Sequence, residues 1–374
     1  MLINLALTVA LTLTPVPHKE APVSRCALPG RTGWTDEGHD TDHRQFSRAF
    51  GVIRAVMLFV DFPDAPASGS TQEYEDALSP AAGWLRTASN GRARLAITPV
   101  RTWFRMPSDS TAYGFDRGIS YEQHQRYVRD AVAAADPDVD FSSYDIVYIV
   151  PPKNAAAVTF SPTYLYDPAA PGVIADGRPV RWSVTLGQDM WRWGYKVIDH
   201  ETGHIFGLPD LYAFTGTDYH RFVGGWDLMG LISGPAPRYF GWHQWKLGWL
   251  GDDQVACAVS GRYRLDGPTR LVVVKTGETS AYAVEARSRT GLDARACSSG
   301  VLIYRVDSSV ATGEGPIRVM DARPGQPPAA GCHQLDDAAY APGQVFTDEA
   351  AGVRITVTGE ASVEVERLPI QGNM

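Results

Sequence analysis

Two histidines, a glutamate and an aspartate stand at metal-binding spacings within Val197-Ile-Asp-His-Glu-Thr-Gly-His-Ile-Phe-Gly-Leu-Pro-Asp-Leu-Tyr212. His200 and His204 are four residues apart, so on a helix both imidazoles leave one face and can hold a single Zn2+. Glu201 follows the first histidine directly and can take the proton of a metal-bound water. Zn2+ lowers the pKa of such a water to about 7, which makes hydroxide available at neutral pH. A catalytic centre also needs a third protein ligand and an open fourth position. Gly207 can end the helix in a left-handed turn, and with Pro209 it folds the chain back. Asp210, ten positions after His200, then arrives as the third ligand, Zn2+ being the one catalytic cofactor expected. A carboxylate or a water from elsewhere is the alternative for that place.

Downstream lies Gly224-Gly-Trp-Asp-Leu-Met-Gly230. In zinc peptidases with an extended motif, a tight turn puts a methionine under the metal as a hydrophobic floor. Met229 is spaced for that role, with an ordinary core methionine as the alternative. Gly230-Leu231 follows it rather than a tyrosine, so stabilisation of a developing oxyanion is left to Tyr219, Tyr239 or His220. Asp199 reads as a solvated or supporting neighbour of the first histidine.

His200-Glu201-x-x-His204-x-x-Gly207-Leu208-Pro209-Asp210-Leu211-Tyr212 resembles the zinc motif of the immune inhibitor A family of secreted bacterial metallopeptidases. The similarity extends to Leu58-Phe-Val-Asp-Phe-Pro-Asp64, Ser89-Asn-Gly-Arg92, Trp103-Phe-Arg-Met-Pro107, Trp226-Asp-Leu-Met229 and Trp245-Lys-Leu-Gly-Trp249. Glu285-Ala-Arg287 and Gly300-Val-Leu-Ile-Tyr-Arg-Val-Asp307 are similar to the β-domain that follows the catalytic one in that family. The resemblance spans most of residues 50–360, and it implies an α/β zincin-type (metzincin-like) catalytic domain with a smaller all-β, sandwich-like C-terminal domain. It also implies peptide-bond cleavage, with His200 and His204 as zinc ligands, Glu201 as general base and Asp210 in the place of the third ligand.

Weaker constellations accompany the motif. Ser24-Arg-Cys-Ala-Leu-Pro29 shares its Arg, Cys and Pro spacing with the cysteine switch of matrix metalloproteinases, so Cys26 could be a latency thiol bound at the open zinc position. A Cys26–Cys257 disulfide is the competing reading. Gly177–Leu186, just before the metal motif, could be the edge strand along which a peptide adds, or an ordinary sheet strand. Trp182, Trp191 and Trp193 could line a subsite or pack in the core, and Asp61 and Asp64 could bind Ca2+ or close a turn.

The elements that must carry these residues follow from periodicity. Gly51–Val60 reads as a buried strand, 73–88 as helical, 94–100 as a strand, 121–135 as a helix ended by Asp136-Pro137, and 145–150 as a third strand. Strands alternating with helices indicate an α/β or α+β layering. From 251 onward come short β-branched runs separated by Gly, Pro and Asp, which read as a sandwich. The expected division is a signal peptide over 1–22, a short N-terminal or pro-segment over 23–47, the catalytic domain over 48–250 and the β-domain over 251–370.

Composition agrees with a folded, exported protein. Of 374 residues 44% are hydrophobic and 20% charged, which excludes a disordered chain. The net charge of −8, with no basic block, makes nucleic acid an unlikely partner. The uncharged apolar run Leu2–Val16 has the length of a signal-peptide core and is too short to span a bilayer. No longer apolar run follows, so no transmembrane anchor is expected in the mature chain. Four cysteines and no CxxC pair suit an oxidising compartment, with Cys297–Cys332 the first bridge expected. The reading is a secreted zinc endopeptidase acting on extracellular proteins or peptides. Its rival is a catalytically silent, zinc-stabilised binding or adhesion protein.

Overall fold

Gly51–Asp61 (β1) is apolar without alternation because both its faces are covered. Ala55, Met57 and Phe59 enter the core that also holds the metal motif, while Val56, Leu58 and Val60 enter a second core. That second core is closed by the helix Tyr121–Ala135 (α3), whose Tyr127, Val128, Ala131 and Val132 recur at helical steps. Ser120 and Gln123 form a capping box at its start. The protein is described from a computed structural model over residues 20–21, 23–30, 34–167, 169 and 172–369. The apolar run Leu2–Val16 lies outside these residues.

β1 belongs to a five-stranded sheet with Ala93–Arg105 (β2), Ile146–Val150 (β3), Thr163–Leu165 (β4) and Trp182–Thr185 (β5), in the order β2-β1-β3-β5-β4. All neighbours run parallel except β4, which pairs antiparallel with β5 at the edge. β5 is therefore interior, so the stretch 177–186 holds an ordinary sheet strand, the second of its two readings, and the edge on that side is β4. The single helix expected over 73–88 is two, Gln72–Leu78 (α1) and Ala81–Ala88 (α2), because Pro80 has no N–H for an unbroken ladder. The metal motif lies on Lys196–Ile205 (α4), and Gly241–Lys246 (α5) follows.

The C-terminal part builds two more sheets. Val255–Ala258 (β6), Leu271–Lys275 (β8), Ser280–Arg287 (β9), Gly300–Asp307 (β10) and Ile317–Val319 (β11) join Glu20–Ala21 in a six-stranded sheet. Gly261–Arg264 (β7), Val345–Asp348 (β12), Val353–Gly359 (β13) and Ser362–Arg367 (β14) form a four-stranded one. One face of the larger sheet, with Val272, Val284 and Ile303, shares a core with Ile355, Val357 and Val363 of the smaller. Its other face, with Val273, Ala283 and Leu302, packs into the core beneath the metal motif.

The expected fold class is overturned. Strand accounts for 26% of the described residues against 19% helix, spread over four sheets, so the protein is mainly β and not an α/β zincin-type catalytic domain, which has a helical core. The physical reason lies in the punctuation: among 36 glycines and 26 prolines, α1, α2, α4 and α5 reach only 7, 8, 10 and 6 residues.

Disulfides join Cys26 to Cys257 and Cys297 to Cys332. The segment before β1 is tied in by indole donors, Trp242 to the Glu37 carbonyl (3.1 Å), Trp182 to that of Gln45 (2.7 Å) and Trp249 to that of Ala49 (2.6 Å). Among the described residues no helix is long and apolar enough to cross a membrane.

Candidate metal centre

α4 presents His200 and His204 from one face, with their ring centroids 5.0 Å apart. The helix ends as the glycine demands. Gly207 has φ +91°, the Leu208 N–H donates to the Gly203 carbonyl (3.0 Å), and the Gly207 N–H donates to that of His204 (2.9 Å). Thr41 and Phe46 crowd the space a Cβ at 207 would take, which adds a packing reason for glycine there. The chain turns back and sets Asp210 Oδ1 3.1 Å from His200 Nε2 and 3.3 Å from His204 Nε2.

The second nitrogen of each ring is already engaged. His200 Nδ1 lies 3.0 Å from the Leu228 carbonyl and His204 Nδ1 2.8 Å from that of Leu208. A carbonyl can only accept, so each Nδ1 carries the proton and donates, and each neutral ring points an Nε2 lone pair at the Asp210 carboxylate. Two lone pairs and an anionic oxygen at this range need a cation or extra protons between them. Burial works against protonation of His200 and His204, yet the Asp210 carboxylate outweighs it and pushes both up, His204 to about 9. Burial alone would raise Asp210, but the two imidazoles hold it far below the usual carboxylate range.

A divalent cation satisfies the same demand. At Zn–N and Zn–O distances of about 2.0–2.1 Å, tetrahedral ligand atoms sit roughly 3.3 Å apart. The separations of 3.1 and 3.3 Å match that spacing, and N,N,O donors suit Zn2+. His200, Glu201 and His204 also bring ligand-type atoms within 4.8 Å of one another. Glu201 is buried, its Oε2 accepts from the Thr163 hydroxyl on β4 (2.7 Å), and burial pushes its carboxyl up. A carboxyl raised in this way is better matched to proton transfer nearer neutral pH than an ordinary glutamate.

The remaining expected residues fall in different places. Met229 is fully buried behind α4: a Cβ on Gly203 would lie 2.7 Å from its sulfur and 2.9 Å from the Tyr239 hydroxyl. That hydroxyl donates to the Asp199 carbonyl (2.9 Å), so Tyr239 braces the helix from its core side and is not turned to the imidazoles. Asp199 is itself fully buried, and its carboxyl is pushed far up by burial, so it is not a solvated neighbour. Tyr219 is exposed, and His220 Nδ1 is occupied by the Gly230 carbonyl (3.0 Å). Cys26 is bonded to Cys257 and has no thiol to place on a metal. Trp182 is buried, and Trp191 and Trp193 pack against the core. Asp61 accepts from Arg105 (2.7 Å) and the Ala67 N–H (2.9 Å), and Asp64 from Ser110 (2.7 and 2.8 Å), so both are satisfied turn carboxylates that do not converge on a cation.

Three neighbours escaped the sequence reading. Thr163 holds Glu201, and the Leu228 carbonyl orients His200. The Tyr212 ring lies against His200, with centroids 6.4 Å apart and planes at 28°. Burial pushes the Tyr212 hydroxyl up and the Asp210 and Glu201 carboxylates add to it, while a hydrogen bond with Arg117 works the other way. Tyr212 stands inside the His200–Tyr212 motif, and its place two residues after Asp210 is the one signal the sequence offers. No family model matches the chain, and no curated protein matches it either.

Proposed function

We propose that the protein is a zinc-dependent peptide hydrolase working outside the reducing cytoplasm, as the resemblance to immune inhibitor A peptidases also suggests. The observation that carries this reading is the convergence of His200 Nε2, His204 Nε2 and Asp210 Oδ1, with both Nδ1 protons already committed to carbonyls. Bound there, Zn2+ would acidify a water and polarise the scissile carbonyl.

The chain's own residues supply the rest. Glu201, kept in place by Thr163 and pushed up by burial, accepts the water proton and passes it to the leaving amine. Tyr212, whose ring lies against His200, is the donor we assign to the developing oxyanion. Among the described residues β4 pairs with β5 on one side only, and its Thr163 touches Glu201, so a peptide can add along the other edge of β4 beside the general base. Two disulfides suit an extracellular or periplasmic setting.

The test is casein hydrolysis by zinc-loaded wild type and Glu201→Gln. The reading expects a loss of roughly 10^2-fold or more in the variant with zinc retained. Equal rates, or an inert zinc-loaded wild type, would reject it in favour of a zinc-stabilised binding protein.

A further inference from the structure

We infer that Thr312 and Gly313, in the connection between β10 and β11, are positioning residues for the third metal ligand, so that the C-terminal sheets set the geometry of the metal centre. The inference rests on the reading of Asp210 as that ligand. Asp210 lies beyond the end of α4 and outside any strand, so its own element does not hold it. Both backbone polar groups of Asp210 go instead to a loop about a hundred residues further on. The Asp210 N–H donates to Thr312 Oγ1 (2.9 Å), and the Gly313 N–H donates to the Asp210 carbonyl (3.2 Å). The Phe214 N–H then donates to the Gly313 carbonyl (3.2 Å), which extends the clamp across the ligand loop.

The clamp is mounted on a rigid support. β10 is paired with β9 along its length, and Tyr304, Arg305 and Val306 pair with Val319, Arg318 and Ile317 of β11. The Asp307 N–H donates to the Pro316 carbonyl (2.8 Å), closing the connection at its base. Gly313 has φ +75°, and a Cβ there would fall 2.3 Å from the Phe214 ring, so the approach requires glycine. A carboxylate oxygen that must serve two imidazoles at once tolerates little backbone drift, and groups that orient ligands typically change metal affinity 10–100-fold when removed.

The experiment compares wild type, Thr312→Val, Thr312→Ser and Asp210→Ala by chelator competition for zinc, by the visible spectrum of the Co2+-substituted proteins, and by unfolding of the metal-free forms. Thr312→Val should bind zinc roughly 10–100-fold more weakly with an altered Co2+ spectrum, Thr312→Ser should stay near wild type, and metal-free stability should fall by no more than the loss of one hydrogen bond, too little to account for the weaker zinc binding. Wild-type affinity and spectrum in Thr312→Val, or a loss that merely follows reduced metal-free stability, would overturn the inference. Undiminished zinc binding by Asp210→Ala would overturn it too while leaving a two-histidine centre. A wild type that takes up no zinc would remove both the inference and the proposed function.

Discussion

Replacing His243 with leucine should destabilise the protein by about 3–5 kcal/mol, the usual cost of stranding a buried charge. His243 on α5 is fully buried between Glu37 Oε1 (3.0 Å) and Asp227 Oδ2 (2.9 Å), both also fully buried. Burial opposes its protonation, but the two carboxylates prevail and push it up to about 10, so the imidazolium offsets two anions in the core. A folded-state value raised from 6.5 gives stability that is complete below pH 6.5 and lost as the pH rises towards 10. The slope in that window is about 1.4 kcal/mol per pH unit, so the advantage of wild type over the variant should shrink by about 3 kcal/mol between pH 7 and pH 9. Urea unfolding of both proteins at the two pH values measures it. The centre is coupled to this core, because Asp227 Oδ1 also accepts the Met229 N–H (2.8 Å) and the adjacent Leu228 carbonyl orients His200. A loss below about 1 kcal/mol, or a difference independent of pH, would refute the buried ion triad.

Other outcomes follow from the same contacts. Zinc must displace the proton drawn onto His204, pushed up to about 9 without metal, so zinc affinity should rise roughly tenfold per pH unit for each proton displaced between pH 6 and 8; competition titrations showing a flat profile would contradict this. The double change Cys26→Ser, Cys257→Ser should cost roughly 2–5 kcal/mol in unfolding experiments and leave hydrolysis no higher; increased hydrolysis would restore a latency role to Cys26. Tyr239→Phe should cost about 1 kcal/mol through its lost bond to the Asp199 carbonyl, with turnover per zinc nearly unchanged. A 100-fold loss of turnover at unchanged stability would instead mark Tyr239 as an oxyanion donor.

What was legible in the sequence was what is local. The helix face shared by His200 and His204, the reversal at Gly207 and the return to Asp210 all lie within eleven residues, where spacing alone determines direction. The alternation in Val353-Arg-Ile-Thr-Val was equally readable, since Val353, Ile355 and Val357 all point inward. Contacts between distant segments were not readable. Thr163 meets Glu201 across 38 residues, and Thr312 meets Asp210 across 102, with nothing in either stretch to announce the partner. The order of the first sheet was open in the same way. Trp182–Thr185 could be read as an edge or as an ordinary sheet strand, and it is the latter because β4 covers it through a short antiparallel pairing that three residues barely signal. The balance of strand and helix was misjudged because Pro80 divides one apparent helix, and because the chain after β3 is mostly turns, short strands and three further sheets.

The central claim is that one zinc ion is gripped by two imidazoles and a carboxylate beside Glu201. An anomalous-difference map, recorded at the zinc edge on crystals of the zinc-loaded protein, tests it most directly. One peak is expected about 2.0–2.2 Å from His200 Nε2, His204 Nε2 and an Asp210 carboxylate oxygen. No peak between these residues, or one bound to other side chains, would contradict it.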